Sequence, residues 1–254
     1  MITGYYRPGT LEEALNLLSS KDVVPLGGGT LLSKSRPESI VVVDLQLLGL
    51  NKIHKVGNYL EIGATATLQA LLESPDAVEA IKSSLNLEIP INLRNMATVA
   101  GNIVTCNGRS PFAAVLLSMD AKIELRGFYV PSSEIPFGDL LINKRKPLGG
   151  KLITKIRIPI QIKTAFDYVA RTPGDTPIIH TAMSRWSSGR TRLVVGGWGD
   201  APRVAFDGPE ISGIEMASKN AAHDANDDWA SANYRKNIAV ILANRCLNRL
   251  VSSQ

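Results

Sequence analysis

The stretch "VVPLGGGTLLSKS", residues 23–35, restricts the fold more than any other part of the chain. A glycine triplet after an apolar strand marks a sharp bend where a backbone must pass close to something. The stretch comes within one residue of the phosphate-binding pattern of Gly, four residues, Gly, Lys and Ser or Thr. Gly28 opens it and Lys34-Ser35 close it, but Ser33 stands where the second glycine belongs. That pattern works through a helix that starts directly after the glycines and aims its N-terminus at phosphate. Here Pro37 follows closely and the apolar run "IVVVDL" begins at Ile40, which leaves no room for the helix. The same absence, with Leu32 at the last glycine position, excludes the dinucleotide pattern GxGxxG. What remains is a strand, a tight glycine turn and another strand. Backbone N–H groups in such a turn form a small anion-binding nest. A plain turn that needs positive φ is the other reading.

Around this bend the pattern is mixed. "GTLEEALNLLSS" reads as an amphipathic helix with Thr10 as N-cap, Glu13 completing a capping box, and Leu11, Ala14, Leu15 and Leu18 on one face. "SIVVVDL" is a continuous apolar strand of the fully buried kind. "YLEIGA" is a strand followed by a helix around Leu68 to Leu72, "AVEAIKSSLNLE" a helix and "AKIEL" a strand. Residues 126 to 150, rich in Gly, Pro and Ser, read as loop. "KLITKIRIP" alternates as a strand and stops at Pro159. "HTAMSRWSSGRTRLVVGGWG" predicts a hairpin turning at Ser187-Ser188-Gly189. "DDWASANYRKNIAVILANRCLNRL" predicts a long helix capped by Asp227 or Asp228, with Tyr234, Ile238, Ile241 and Leu242 buried. The change of pattern sets a domain boundary near residue 160.

The chain's 254 residues, 44% hydrophobic and 20% charged, suffice for one large or two ordinary globular domains. No apolar run is long enough to span a bilayer. The opening "MITGYYRPGTLEEAL" lacks a basic segment followed by an apolar one, so no secretion signal is expected. Cys106 and Cys246 cannot make a disulfide framework, which points to a reduced, cytoplasmic setting. The net charge of +5 is spread out, and no nucleic-acid partner is expected. The one tight cluster, Lys144-Arg145-Lys146, reads as a solvated loop or a face for an acidic partner subunit.

A second segment bears on the glycine turn. "NLRNMATVAGNIVTCNGRSPFAAVLLSMDAKIEL", residues 92–125, interleaves small residues (Ala97, Thr98, Ala100, Gly101) with the polar side chains of Thr98, Asn102, Thr105 and Asn107. It suits a backbone packed against a large ligand that a few hydrogen-bonding groups orient. At this point the chain resembles a known family: the FAD-binding medium subunit of the molybdenum hydroxylases, the group of carbon monoxide dehydrogenase and xanthine dehydrogenase. "YYRPGTLEEALNLL" resembles the family's opening helix. "PLGGGTLL" and "RNMATVAGNIV" are similar to its two flavin loops. "GGKLITKIRIP" is similar to the strand closing the flavin domain, and "DDWASANYRKNIAVILANR" to the C-terminal helix signature. The resemblance, carried by five motifs in the right order, extends over essentially the whole chain.

The resemblance implies an α+β chain: a two-subdomain FAD-binding fold of the PCMH type over 1–160, divided near 53, then a smaller C-terminal α/β domain over 161–254 with an antiparallel sheet plus helices. It implies FAD held at Leu26, Gly27, Gly28, Gly29, Thr30, Leu31 and Leu32 and at Thr98, Val99, Ala100, Gly101 and Asn102, largely through backbone N–H groups on the pyrophosphate. Ile153 matches an apolar position that touches the ring. The chain departs from the family at Leu31, where a polar residue is frequent. Ala100 replaces a glycine, Pro111 stands where a cofactor-binding Asp often sits, and Asp167 where some relatives carry Lys. Arg171 and Asp175 keep the R-x-x-G-D spacing.

The resemblance also implies partners: a small subunit with [2Fe-2S] clusters, a large subunit with the molybdenum cofactor, and an external electron acceptor such as NAD or oxygen. No catalytic residue is expected on this chain. Two cysteines cannot ligate an iron–sulfur cluster, and His54, His180 and His223 show no metal spacing. Both cysteines read as packing thiols. Two alternatives remain: a free-standing flavin oxidase of the PCMH type, for which neither loop offers a His or Tyr base, and a flavin-free scaffold subunit of the same complex.

Overall fold

The computed structural model describes residues 1–34, 37–142, 148 and 150–252. The Lys144-Arg145-Lys146 cluster and Ser35 lie outside the described residues. In chain order the elements are β1 (Ile2–Tyr6), α1 (Leu11–Leu18), β2 (Val23–Leu26), β3 (Ile40–Asp44), a 3-10 turn (Gln46–Leu48), β4 (Ile53–Val56), β5 (Tyr59–Gly63), α2 (Leu68–Glu73), α3 (Glu79–Glu88), α4 (Ile91–Arg94) and α5 (Val99–Thr105). They continue with α6 (Pro111–Ser118), β6 (Lys122–Gly127), β7 (Ser133–Pro136), α7 (Phe137–Ile142), β8 (Lys151–Pro159), β9 (Lys163–Val169), β10 (Ile179–Arg185), β11 (Thr191–Gly196), β12 (Arg203–Gly208), α8 (Ile214–Ala221) and α9 (Ala232–Ser252). The α+β class is as expected. No helix among the described residues is long and apolar enough to cross a membrane.

The chain forms two compact units: residues 1–76, 91–105 and 122–157 in one, and 77–90, 106–121 and 158–254 in the other. Within the first, β1, β3 and β2 make a parallel sheet in that order. Its middle strand, β3, is the apolar run 40–44, with Val42 and Val43 buried as a strand flanked on both edges requires. β1 and β2 flank β3 and run parallel, so the chain between them needs a crossover, which α1 supplies. Ala14, Leu15 and Leu18 of α1 bury against Val43, Leu45 and Leu152. Thr10 caps α1 by accepting from the Glu13 N–H at 3.2 Å, but Glu13 reaches back to the Gly9 N–H rather than that of Thr10. A second sheet starts at Ile53, in the order β4-β5-β8-β6-β7.

The segment read as loop after residue 126 holds β7 and α7. The hairpin partner decides this: Ile123 and Leu125 of β6 lie opposite Ile135 and Ser133, so a short strand forms despite weak local propensity. Because β2 and β3 are parallel neighbours, the chain between them is a connection of more than ten residues rather than a tight two-strand turn.

In the second unit, β12, β11, β10 and β9 form an antiparallel sheet covered by helices on both faces. Ile179, Met183, Leu193 and Val195 pack against Ala239, Leu242, Ala243, Cys246 and Leu250 of α9. On the other face Ser184 Oγ meets Ser118 Oγ of α6 at 3.1 Å. The hairpin turns at the expected place, with Gly189 at φ +87°. The expected cap and face of α9 are corrected. Ser231 Oγ accepts the Tyr234 N–H at 3.2 Å and caps the helix. The buried stripe runs through Arg235, Ala239, Leu242, Ala243, Cys246 and Leu250, while Tyr234 and Ile241 are exposed. A charged residue in that stripe hides it from a hydrophobicity pattern. Asp227, read as a possible cap, instead binds Arg235 Nη2 at 2.9 Å.

Candidate cofactor-binding site

The first glycine loop leaves the end of β2, where the Leu26 carbonyl accepts the Leu45 N–H at 3.1 Å. Gly29 adopts φ +70°, a left-handed backbone that favours glycine. The turn beyond it closes through Ser33 N–H to the Gly29 carbonyl at 3.0 Å and Lys34 N–H to the Leu31 carbonyl at 3.1 Å. Gly28 needs glycine for another reason. A Cβ there would lie 1.8 Å from the Met96 carbonyl oxygen, and one on Gly27 would lie 2.8 Å from Thr98 Oγ1. The two segments singled out in the sequence are therefore packed directly together, within the first unit. Among the described residues, the N–H groups of Gly27, Gly28, Gly29 and Thr30 have no hydrogen-bond partner. Partly exposed donors held on a fixed bend make an anion-binding concavity.

The second segment is built differently. Thr98 Oγ1 accepts the Gly101 N–H at 3.2 Å and so caps α5. Asn102 N–H donates to the Thr98 carbonyl at 2.9 Å, Val99 N–H to Ala66 at 2.8 Å and Ala100 N–H to Ala64 at 3.2 Å. The N–H groups of Val99, Ala100, Gly101 and Asn102 are thus spent inside the protein, and most of the donors available to a ligand belong to the first loop. Of the other polar side chains read as ligand-orienting, Thr105 and Asn107 are also committed, whereas the buried Oδ1 atom of Asn102 accepts no hydrogen bond among the described residues. Thr105 Oγ1 donates to the Gly101 carbonyl at 2.8 Å, and Asn107 Oδ1 accepts the Arg109 N–H at 2.8 Å. Ala100 occupies a helical position, where a Cβ is favourable by about 0.5–1 kcal/mol over glycine, so this departure costs the backbone nothing.

Ile153 lies in β8 opposite Leu125, 2% exposed. It is one residue from Thr154, whose carbonyl accepts the Ala64 N–H at 3.1 Å, and Ala64 in turn holds Ala100. That chain of backbone bonds is its link to the second segment. The supporting residues Ala64, Ala66 and Met96 went unnoticed in the sequence, since they act through carbonyls and carry no side-chain signal.

The departures outside the loops fall in the second unit. Pro111 is the first residue of α6, and Glu88 accepts Ser110 Oγ at 2.7 Å and the Phe112 N–H at 3.0 Å on either side of it. Asp167 pairs with Arg249 at 3.2 Å and Arg245 at 3.8 Å, a structural role. Asp175 Oδ2 accepts the Thr172 N–H at 3.2 Å. Cys106 and Cys246 are both buried, and burial pushes the Cys246 thiol up to about 11. Among the described residues no three His, Cys, Asp or Glu side chains converge as metal ligands.

Comparison with known proteins agrees with this geometry. The family described as "FAD binding domain in molybdopterin dehydrogenase" matches residues 1–161. The nicotine 6-hydroxylase medium subunit of Paenarthrobacter nicotinovorans is 25% identical over 273 residues, covering 96% of this chain and 95% of its own. The glyceraldehyde dehydrogenase medium chain of Sulfolobus acidocaldarius is 24% identical, covering 94% of each. A crystal structure of a Cu,Mo-CO dehydrogenase in its cyanide-inactivated form superposes with a TM-score of 0.81 at 23% identity, covering 100% of this chain and 99% of its own, which shows a shared fold. A family match over residues 1–161 places well over half of the protein in one family, and the chain is a member of the FAD-binding domain family of molybdopterin dehydrogenases.

Proposed function

We propose that this chain is the FAD-carrying electron-transfer subunit of a molybdenum hydroxylase complex. The observation that carries the reading is the bend at Gly27–Thr30, whose N–H donors have no partner among the described residues and whose backbone at Gly28 packs against the Met96 carbonyl. These donors fit a doubly charged pyrophosphate. Gly27, Gly28, Gly29 and Thr30 hold it, Leu26, Leu31 and Leu32 frame the bend, and Thr98 to Asn102 form the wall that keeps it rigid. Ile153, 2% exposed within β8, backs the second segment and offers almost no surface of its own to the flavin ring. Preorganisation matters here because donors already fixed on a strand end lose little freedom when the ligand binds.

Bound in this way, FAD supplies a redox centre that accepts electrons from the [2Fe-2S] clusters of a small subunit and releases them to an external acceptor, NAD, oxygen or another. The protein's own part is to bind and orient the cofactor. The substrate is oxidised on a large molybdenum subunit, and the assembly works in the cytoplasm. Full-length coverage of medium-subunit relatives supports the multi-subunit reading. The test is to co-express the chain with its neighbouring gene products. The expected result is a stable hetero-oligomer containing iron, sulfide and molybdenum, in which substrate bleaches the flavin absorbance. Turnover of a small organic substrate by the chain alone, at about 1 per second or faster, would replace this reading with a free-standing oxidase.

A further inference from the structure

We propose that Trp229, backed by Arg109 and flanked by Arg171, is a stacking site for a nucleotide, a planar base bearing phosphate, on the second unit. Trp229 is 40% exposed, although it precedes a long, well-packed helix. The Arg109 guanidinium lies 3.8 Å from its ring centroid, at stacking distance. Arg109 is itself fixed: its Nη2 pairs with Asp227 Oδ2 at 2.8 Å and its N–H with Asn107 Oδ1. Asp227 is fixed in turn, accepting the Trp229 N–H at 2.8 Å, the Ala230 N–H at 3.2 Å and Nη2 of the fully buried Arg235 at 2.9 Å. The indole is therefore a rigid platform, which lowers the cost of ordering it around a ligand.

The second part is an available cation. The Arg171 guanidinium is 5.8 Å from the same ring centroid, beyond close stacking, and has no ion-pair partner among the described residues. The nearby Asp175 carboxylate is engaged by the Thr172 N–H, and the Thr172 carbonyl accepts the Asp175 N–H at 3.2 Å, so the turn carrying Arg171 is braced. Arg109 and Arg235 pair with Asp227, which leaves the Arg171 guanidinium beside the indole as the cation without an ion-pair partner among the described residues. An aromatic face beside a free guanidinium recognises a base by stacking and its phosphate by charge. An uncharged aromatic would leave Arg171 unused, and inorganic phosphate would leave the indole exposed. The site lies wholly in the second unit and does not depend on the cofactor reading for the glycine loop.

The experiment is calorimetric titration of the full, FAD-loaded chain with ADP, with adenosine and inorganic phosphate as separate probes and flavin content measured by absorbance. ADP is expected to bind saturably with Kd at or below about 1 mM, adenosine more weakly, and phosphate alone weakest. Trp229→Leu weakens ADP by about tenfold or more. Arg171→Gln, an exposed change that leaves the fold intact, weakens ADP but not adenosine and removes the salt dependence. Absence of ADP binding, unchanged binding in either variant, or binding only to flavin-free protein would overturn the proposal; the last outcome would place the nucleotide in the flavin's own position.

Discussion

The carbonyl oxygen of Met96 occupies the space that a side chain on Gly28 would need: a Cβ there would come within 1.8 Å of it. Gly29, next in sequence, has room, with only Leu26 Cδ1 near at 3.4 Å, but holds φ +70°. The two glycines are required for different reasons and respond differently to substitution. Gly28→Ala forces the two segments apart. The expected cost is about 1–3 kcal/mol in denaturant unfolding, the range for overpacking, together with loss of flavin. Gly29→Val leaves the packing intact but strains the bend by about 1–2 kcal/mol, so the apoprotein folds while flavin content falls. Full flavin content in Gly29→Val would make the loop an ordinary turn.

Arg235 and Asp227 give a second prediction. Arg235 is fully buried, and besides Asp227 it donates to the carbonyls of Ile178, Ala225 and Ala230 at 3.1, 2.7 and 3.1 Å. Asp227→Asn leaves a buried guanidinium without its counter-charge. Breaking such a pair costs about 3–5 kcal/mol when both partners are buried. Asp227 is partly exposed, its side chain 24% accessible, so roughly 2–3 kcal/mol is expected. Urea midpoints of Asp227→Asn and the parent, at equal m-value, measure it. A change below about 0.5 kcal/mol, the range of an ordinary surface substitution, would contradict the account.

How much of this was legible in the sequence varies by residue. The buried strand at Ile40–Asp44 and the hairpin at Gly189 follow from local pattern, since their neighbours only reinforce it. Gly28 was visible as a glycine, but its partner, a main-chain carbonyl nearly seventy residues on, leaves no mark in residue identity. The same holds for Ala64 and Ala66. Strand β7 depends on a partner strand more than on its own residues, and the stripe on α9 is masked by Arg235. The family resemblance implied that both segments hold the pyrophosphate, while their direct packing and the division of labour between them, most donors on one and wall on the other, required the hydrogen-bond pattern.

His180 predicts a pH effect. It lies opposite Gly196 in the hairpin, and a Cβ on Gly196 would come 2.3 Å from His180 Nε2, so glycine makes room for the imidazole. The ring is fully buried, neither nitrogen has a hydrogen-bond partner among the described residues, and burial lowers its pKa to about 3. Between that value and the unfolded value of about 6.5, the unfolded chain binds the extra proton. Stability therefore falls as pH drops through this window, with a limiting slope of about 1.4 kcal/mol per unit. The stability difference between the parent and His180→Leu is expected to shift against the parent by about 2 kcal/mol from pH 7.5 to pH 5. A pH-independent difference would mean that the imidazole is solvated or paired in the folded state.

The central claim is that the bend at Gly27–Thr30 holds the pyrophosphate of FAD. The most direct measurement is the visible spectrum of the purified chain, followed by acid extraction and chromatography of the released cofactor. The account predicts the two absorption bands of oxidised flavin and recovery of FAD, because the unpaired donors on the bend suit a diphosphate that FMN lacks. Recovery of FMN alone, or no flavin after reconstitution with FAD, would contradict it.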